Sequence, residues 1–281
     1  MKQANVIITA VLLSLLAAFI MVKATAQKNV SFEKKESAYD RVIQKGTIRC
    51  GFMMWPPFFQ KDEKTGELSG MTKEAIDEIF FTIGIKVEYV EAPLGNQPQD
   101  LAAGKYDSFC FDSFLTPKAA KFLDYSKAWL SAPMYLYGRQ DFRAPAEIDG
   151  LNSEKYSFSA MDGDSSSELA SRRFPKAKLF SLPATADPSL LILNITTNKS
   201  DIVITDPATI LKFNKTNESK LVRLYNQPIA DYPILFSVKK GELDLKNMLD
   251  YAVDIFVHTG QYDKLLEKYD PNREFFIRMK E

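Results

Sequence analysis

The chain has 281 residues, with 36 basic and 36 acidic side chains and a single histidine. Balanced charge leaves no electrostatic footprint for nucleic acid, and one histidine argues against a metal centre or a serine-hydrolase triad. A hydrophobic content of 46% argues against a disordered chain.

The N-terminus carries Lys2, an apolar run from Val6 to Val22 and then Ala24-Thr25-Ala26. This is the pattern of a signal peptide cleaved before Gln27, so residues 1–26 are expected to be removed on export. An uncleaved anchor is the alternative, since the run approaches the length of a membrane span. Residues 27–281 keep 34 basic against 36 acidic side chains, a net charge of −2.

Beyond the leader, helical and strand patterns alternate. "SAYDRVIQKG" reads as a short helix stopped by Gly46, and "TIRCGF" as a strand. "WPPFFQKDEKTGELSG" is a loop with a hairpin-like excursion, and "MTKEAIDEIFFTIG" places Ile76, Ile79, Phe80 and Ile83 at helical spacing. A strand "IKVEYVEA", a helix "QPQDLAAGK" and a strand "YDSFCF" follow, with a further helix expected to start at Thr116-Pro117. "SAPMYLYGR" is an aromatic, β-rich segment. After it come strands at "YSFSAMDG", "AKLFSL", "SDIVITD" and "KLVRLY", interleaved with helices at "SSSELASRRF", "PSLLILNITTNK" and "PATILKFNK". A second aromatic strand from Tyr232, "YPILFSVKKG", precedes the C-terminal helices, where His258 reads as a helix-end residue. This is an α/β pattern with parallel sheets. Two aromatic segments flanking an inserted α/β unit predict two lobes joined by two strand crossings, with a cleft between them.

Cys50 and Cys110 are the only cysteines, each inside a predicted strand. Adjacent parallel strands rarely offer good disulfide geometry, so two buried thiols are favoured over a bridge. The doublet Met53-Met54 reads as loop packing rather than a copper site.

The ordered series "IRCGFMMWPPFFQKDEKTGELSGMTKEAIDEI", "LAAGKYDSFCF", "LTPKAAKFLDYSKAWL", "FSAMDGDSSSEL", "SDIVITDPA", "YPILFSVKKGELDLKNML" and "TGQYDKLLEKY" resembles the family 3 bacterial solute-binding proteins. These are periplasmic receptors of amino-acid-type ABC transporters. The resemblance implies a periplasmic-binding-protein-like type II fold of two α/β lobes joined by two hinge strands. One lobe would comprise residues 38–135 plus 236–281 and the other residues 136–235. It also implies a periplasmic location, an inner-membrane ABC permease as partner, no cofactor, no catalysis and a monomer.

In that family an aromatic before the Pro-Pro-Phe turn stacks on the ligand, and Trp55 stands there. The family's Thr-Pro-Glu-Arg, whose arginine grips the ligand carboxylate, is here Thr116, Pro117, Lys118 and Ala119. The family's second anion site, Gly-Thr-Thr or Gly-Ser-Thr at a helix start, is here Gly163, Asp164 and Ser165. The aspartate that receives the ligand ammonium matches Asp206. The resemblance therefore implies a pocket that keeps its ammonium acceptor, loses its carboxylate clamp and gains Asp112.

Alanine offers nothing to a carboxylate, whereas arginine offers a planar fork. Ordinary amino acids should bind poorly unless Lys118 turns inward. Asp112, Asp164 and Asp206 have plain alternatives as backbone acceptors or helix caps. Three carboxylates around one dry cleft would be relieved by a cation. Trp55, Phe58, Phe111 and Phe114 could offer ring faces at about 0.5 to 2 kcal/mol each, or could simply pack. The leading expectation is a receptor for a small polar ligand, with a cationic amine in view. An enzyme resembling the cyclohexadienyl dehydratases and a ligand-free interaction or sensor protein are the alternatives.

Overall fold

The computed structural model describes residues 12–21, 23, 36–93, 95–112 and 119–279. Residues 1–36 and 37–281 are two separate compact units. In the first, residues 12–21 are helical and Leu12, Leu16 and Phe19 are exposed. Among the described residues no helix is long and apolar enough to cross a membrane.

The second unit is a mixed α/β fold. Helix α1 (Ala38–Lys45) starts where the Ser37 hydroxyl accepts the Asp40 N–H at 3.0 Å and stops at Gly46. Then come β1 (Thr47–Phe52), the hairpin β2 (Gln60–Lys61) and β3 (Leu68–Ser69), α2 (Met71–Thr82), β4 (Lys86–Glu91), α3 (Gln97–Ala103) and β5 (Ser108–Asp112). The helix expected at Thr116-Pro117 lies outside the described residues; a 3-10 turn at Ala119–Lys121 follows it.

The chain continues through β6 (Leu123–Tyr125), β7 (Leu130–Arg139), β8 (Ser157–Met161), α4 (Ser165–Arg173), β9 (Lys178–Leu182) and α5 (Ser189–Thr196). It ends with β10 (Ile202–Thr205), α6 (Pro207–Thr216), β11 (Leu221–Arg223), β12 (Ala230–Lys239), α7 (Leu243–His258) and α8 (Gln261–Tyr269).

The main sheet runs in the order β4-β1-β5-β12-β7-β10-β8-β9, with β6 on β12 and β11 on β7. The two ten-residue strands β7 and β12 share their first halves, Leu130 to Met134 lying antiparallel to Ala230 to Ile234. They then part company. The remainder of β12 pairs with β5 and β6, while Tyr135 to Gly138 pair with β10 and the β11 ladder runs along the same stretch.

Packing follows the helical period. Ile76, Ile79 and Phe80 of α2 are buried with Phe236, Leu249 and Phe256, each such side chain contributing about 1.5 to 3 kcal/mol. A second cluster joins Leu136, Phe158, Phe174 and Ile202, with Phe158 and Phe174 stacked at 5.0 Å. Asp107, just before β5, is buried and ties α1 and β1 to it through Arg41 and through Arg49, whose Nη2 lies 2.8 Å away.

One expectation is overturned. Cys50 and Cys110 are joined in a disulfide rather than held as two thiols. Cys50 pairs in register with Ser108, two residues before Cys110. The Cα atoms of the two cysteines stand 5.6 Å apart, within the span a disulfide requires.

Candidate functional site

The turn that carries Trp55 is built by its own backbone. Trp55 N–H donates to the Phe59 carbonyl at 2.9 Å, and the N–H groups of Phe58 and Phe59 return to the Trp55 carbonyl at 2.9 and 3.1 Å. The Pro56-Pro57 peptide bond within it is cis. Gly70 lets this turn sit against the start of α2: its φ is +117°, and a Cβ there would stand 2.3 Å from the Phe58 carbonyl oxygen. The Thr72 N–H then donates to that same carbonyl at 3.0 Å. Phe58 is thereby aimed inward, at 6.3 Å from the Phe111 ring and 5.5 Å from the Phe276 ring.

These residues close one side of a cavity of about 50 Å³. Trp55, Phe58, Phe111, Asp164 and Asp206, all singled out from the sequence, line it together. Met53, Met134, Ser166, Tyr232 and Phe276 line it too and were not anticipated as site residues. From the sequence Tyr232 reads only as the start of an aromatic strand, and nothing in the local pattern of the C-terminal residues marks Phe276. Met53, expected as loop packing, is buried on the wall. Ser165 is not on the wall; its neighbour Ser166 is. Asp112 ends β5 opposite Leu235, and its side chain, with Phe114 and Lys118, lies outside the described residues. Among the described residues no group of His, Cys, Asp and Glu could hold a metal.

The two halves of the sheet meet around this cavity. A Cβ on Gly95 would stand 3.3 Å from the Cα of Gly163. The Lys212 ammonium on α6 donates to the Gln60 side chain at 2.9 Å. Outside Trp55, a wider opening of about 750 Å³ is bordered by Glu91, Asp187 and Lys212.

The two aspartates differ in how they are held. Asp206 is the N-cap of α6: its carboxylate accepts the Thr209 N–H at 2.8 Å and the Thr209 hydroxyl at 2.6 Å. Asp164 occupies the N-cap position of α4 without a side-chain cap bond. Of the two cap roles open in the sequence, the one before α6 is filled by the Asp206 side chain and the one before α4 is not filled by that of Asp164. Burial raises the Asp164 carboxyl to about 6, the nearby amides and hydroxyls of Ser166 and Ser165 holding back part of the rise. Burial likewise holds Asp206 above the ordinary carboxylate value, with Thr209 and the Trp55 indole N–H acting against it.

Among the described residues no ion pair involves either acid. The Tyr232 hydroxyl and Ser165 Oγ are buried beside Asp164 without a hydrogen-bond partner of good geometry. Burial, with the Asp164 charge, pushes the Tyr232 phenol up to about 12, so it stays a neutral donor. Two buried carboxyls and the unmet Tyr232 hydroxyl in a mostly apolar wall suit a ligand that brings positive charge and hydrogen bonds.

Residues 48–272 match the bacterial extracellular solute-binding proteins, family 3. The L-cystine-binding protein TcyA of Bacillus subtilis (strain 168) is 20% identical over 246 residues, covering 84% of this chain and 88% of that protein. Among solved structures, the ancestral amino acid-binding protein AncCDT-1, a precursor of cyclohexadienyl dehydratase, superposes with a TM-score of 0.70 at 23% identity, covering 83% of this chain and 99% of that one. A binding component of an ABC transporter from Wolinella succinogenes DSM 1740, complexed with lysine, gives a TM-score of 0.71 at 21% identity, covering 84% of this chain and 98% of that one.

Proposed function

This chain belongs to the family 3 bacterial extracellular solute-binding proteins and has their type II periplasmic-binding fold, and from that premise we propose that it captures a small organic cation in the cleft. Residues 38–135 with 236–281 form one lobe and residues 136–235 the other, with β7 and β12 as hinge strands. The leader of residues 1–26 takes the protein to the periplasm, and closure over the ligand presents it to an ABC permease.

The observation that carries this reading is the pair of buried carboxyls, Asp164 and Asp206, on one cavity wall with no cationic partner among the described residues. An amine on Asp164 would take the proton's place and find hydrogen-bond partners in Tyr232 and Ser166. The relative with lysine bound and the relative named for cystine are consistent with ligands bearing ammonium groups. Alanine at position 119 removes the arginine that a carboxylate would need.

A second reading, a receptor that reports to another protein without a ligand, is supported by one observation: the protein's own side chains, aromatic rings among them, leave a cavity of only about 50 Å³.

The discriminating experiment is thermal shift and calorimetry with the protein purified free of carried-over ligand, against amines, quaternary ammonium compounds, amino acids and dicarboxylates. Ligand that binds only the native state stabilises it by mass action. Amines should stabilise the protein. Asp206→Asn keeps the helix cap, because asparagine caps as well as aspartate, and should weaken amine binding thirtyfold or more, the equivalent of about 2 kcal/mol for a lost buried partner. Stabilisation by amino acids alone would refute the cation reading, and no response to any ligand would favour the second reading.

A further inference from the structure

The match to the family ends at residue 272, yet Phe276 lines the cavity. The chain leaves α8 at Tyr269 and turns back over the cleft. Buried Asp270 organises the turn, accepting the N–H groups of Glu274 at 2.7 Å, Phe275 at 3.2 Å and Phe276 at 3.1 Å. Ile277 forms an antiparallel bridge with Ser131 on β7, donating at 2.8 Å and accepting at 3.3 Å. Arg278 donates to the Asp270 carbonyl at 3.1 Å, and the Met279 N–H donates to the Tyr262 hydroxyl at 3.1 Å. Phe276, held on both sides, is 8% exposed and meets the Phe58 ring edge to face.

The cavity is small for a ligand site. Its volume of about 50 Å³ compares with roughly 30 Å³ for one water and about 300 Å³ at the lower end of small-molecule sites. A tail fastened at several points does not yield that space readily. Its ring is therefore part of the wall.

We propose that Phe276 is a specificity-determining residue: a C-terminal strap fixed to β7 that limits the closed cleft to small cations and excludes long side chains. This rests on the reading of the cleft as the ligand site. Replacing the ring by a smaller side chain should open room for a longer cation, and a larger ring should close it further.

The test is calorimetric titration of the full chain and its Phe276→Ala, Phe276→Leu and Phe276→Trp variants with methylammonium, cadaverine and L-arginine. The leucine variant serves where alanine impairs folding. The expected result is methylammonium binding in the wild type, at least tenfold tighter cadaverine or arginine binding in the alanine and leucine variants, and weaker binding of every probe in the tryptophan variant. Cadaverine and arginine affinities unchanged within twofold in the alanine and leucine variants would overturn the inference.

Benzene, which needs no charged partner, separates this inference from the cation reading. Benzene uptake by Phe276→Ala but not by the wild type, with no amine bound by any form, would retain Phe276 as the wall and reject the cation reading. Uptake of neither benzene nor amine by Phe276→Ala would overturn the strap proposal as well.

Discussion

Asp164 offers a sharp stability prediction in the absence of any ligand. Burial raises its carboxyl from 3.8 to about 6. The folded-state pKa therefore lies above the unfolded one, so the folded protein favours the protonated acid. Its full contribution is present below pH 3.8 and is lost as pH rises through 6. At about 1.36 kcal/mol per pKa unit, the difference amounts to about 3 kcal/mol at neutral pH. Asp164→Asn removes the charge and keeps the side-chain shape.

The stability difference between Asp164→Asn and wild type should move in favour of the variant by about 2 kcal/mol between pH 4 and pH 7, levelling off above that. Urea unfolding of both proteins at several pH values measures it, since the common pH dependence of all other groups cancels in the difference. A difference that stays flat across this range would show that Asp164 is ionised and well solvated in the folded protein. Asp164 would then have no need of a cationic partner.

Other expectations concern the frame around the site. Gly70→Ala should destabilise the protein by several kcal/mol, about 2 or more from clash and backbone strain, because its Cβ would meet the Phe58 carbonyl at 2.3 Å; chemical denaturation reads this, and a loss under 0.5 kcal/mol would contradict the turn geometry. Reducing Cys50–Cys110, which are separated by 60 residues, should cost about 4 kcal/mol through the loop entropy of the unfolded chain; an unchanged urea midpoint under reductant would refute it. Asp107→Asn should cost about 3 to 5 kcal/mol by leaving Arg41 and Arg49 without their shared buried partner; a thermal melt within 2 °C of wild type would contradict that.

Much of the framework was legible because local chemistry and long-range packing agree. Ser37 and Gly46 bracket α1 as capping rules require, and Ile76, Ile79 and Phe80 are buried along α2 at the spacing read from the sequence. The aromatic segments at 131–139 and from Tyr232 are the strands that cross the middle of the sheet. The short strand β6 was missed, since three residues pairing only with β12 carry no alternation to read.

At the site, side-chain type was readable and geometry was not. Asp206 and Asp164 both stand before helices and both line the cavity, and nothing in "TDPA" or "GDSS" tells which carboxylate also caps its helix. The disulfide depends on how closely β1 and β5 bring Cys50 and Cys110 together, which only the folded pairing defines. Phe276 reaches the cleft because a tail turn is organised by Asp270 and bridged to Ser131, a contact across 146 positions that no local pattern encodes.

A cation captured in the cleft would sit on an ionised Asp164. Calorimetric titration with methylammonium at pH 6, in two buffers of different ionisation enthalpy, counts protons exchanged on binding. With the Asp164 carboxyl raised to about 6, about half of the molecules hold its proton at that pH. Binding of the amine should release about half a proton, and Asp164→Asn should abolish the release. Proton uptake, or binding confined to carboxylate ligands and indifferent to Asp164, would contradict the account.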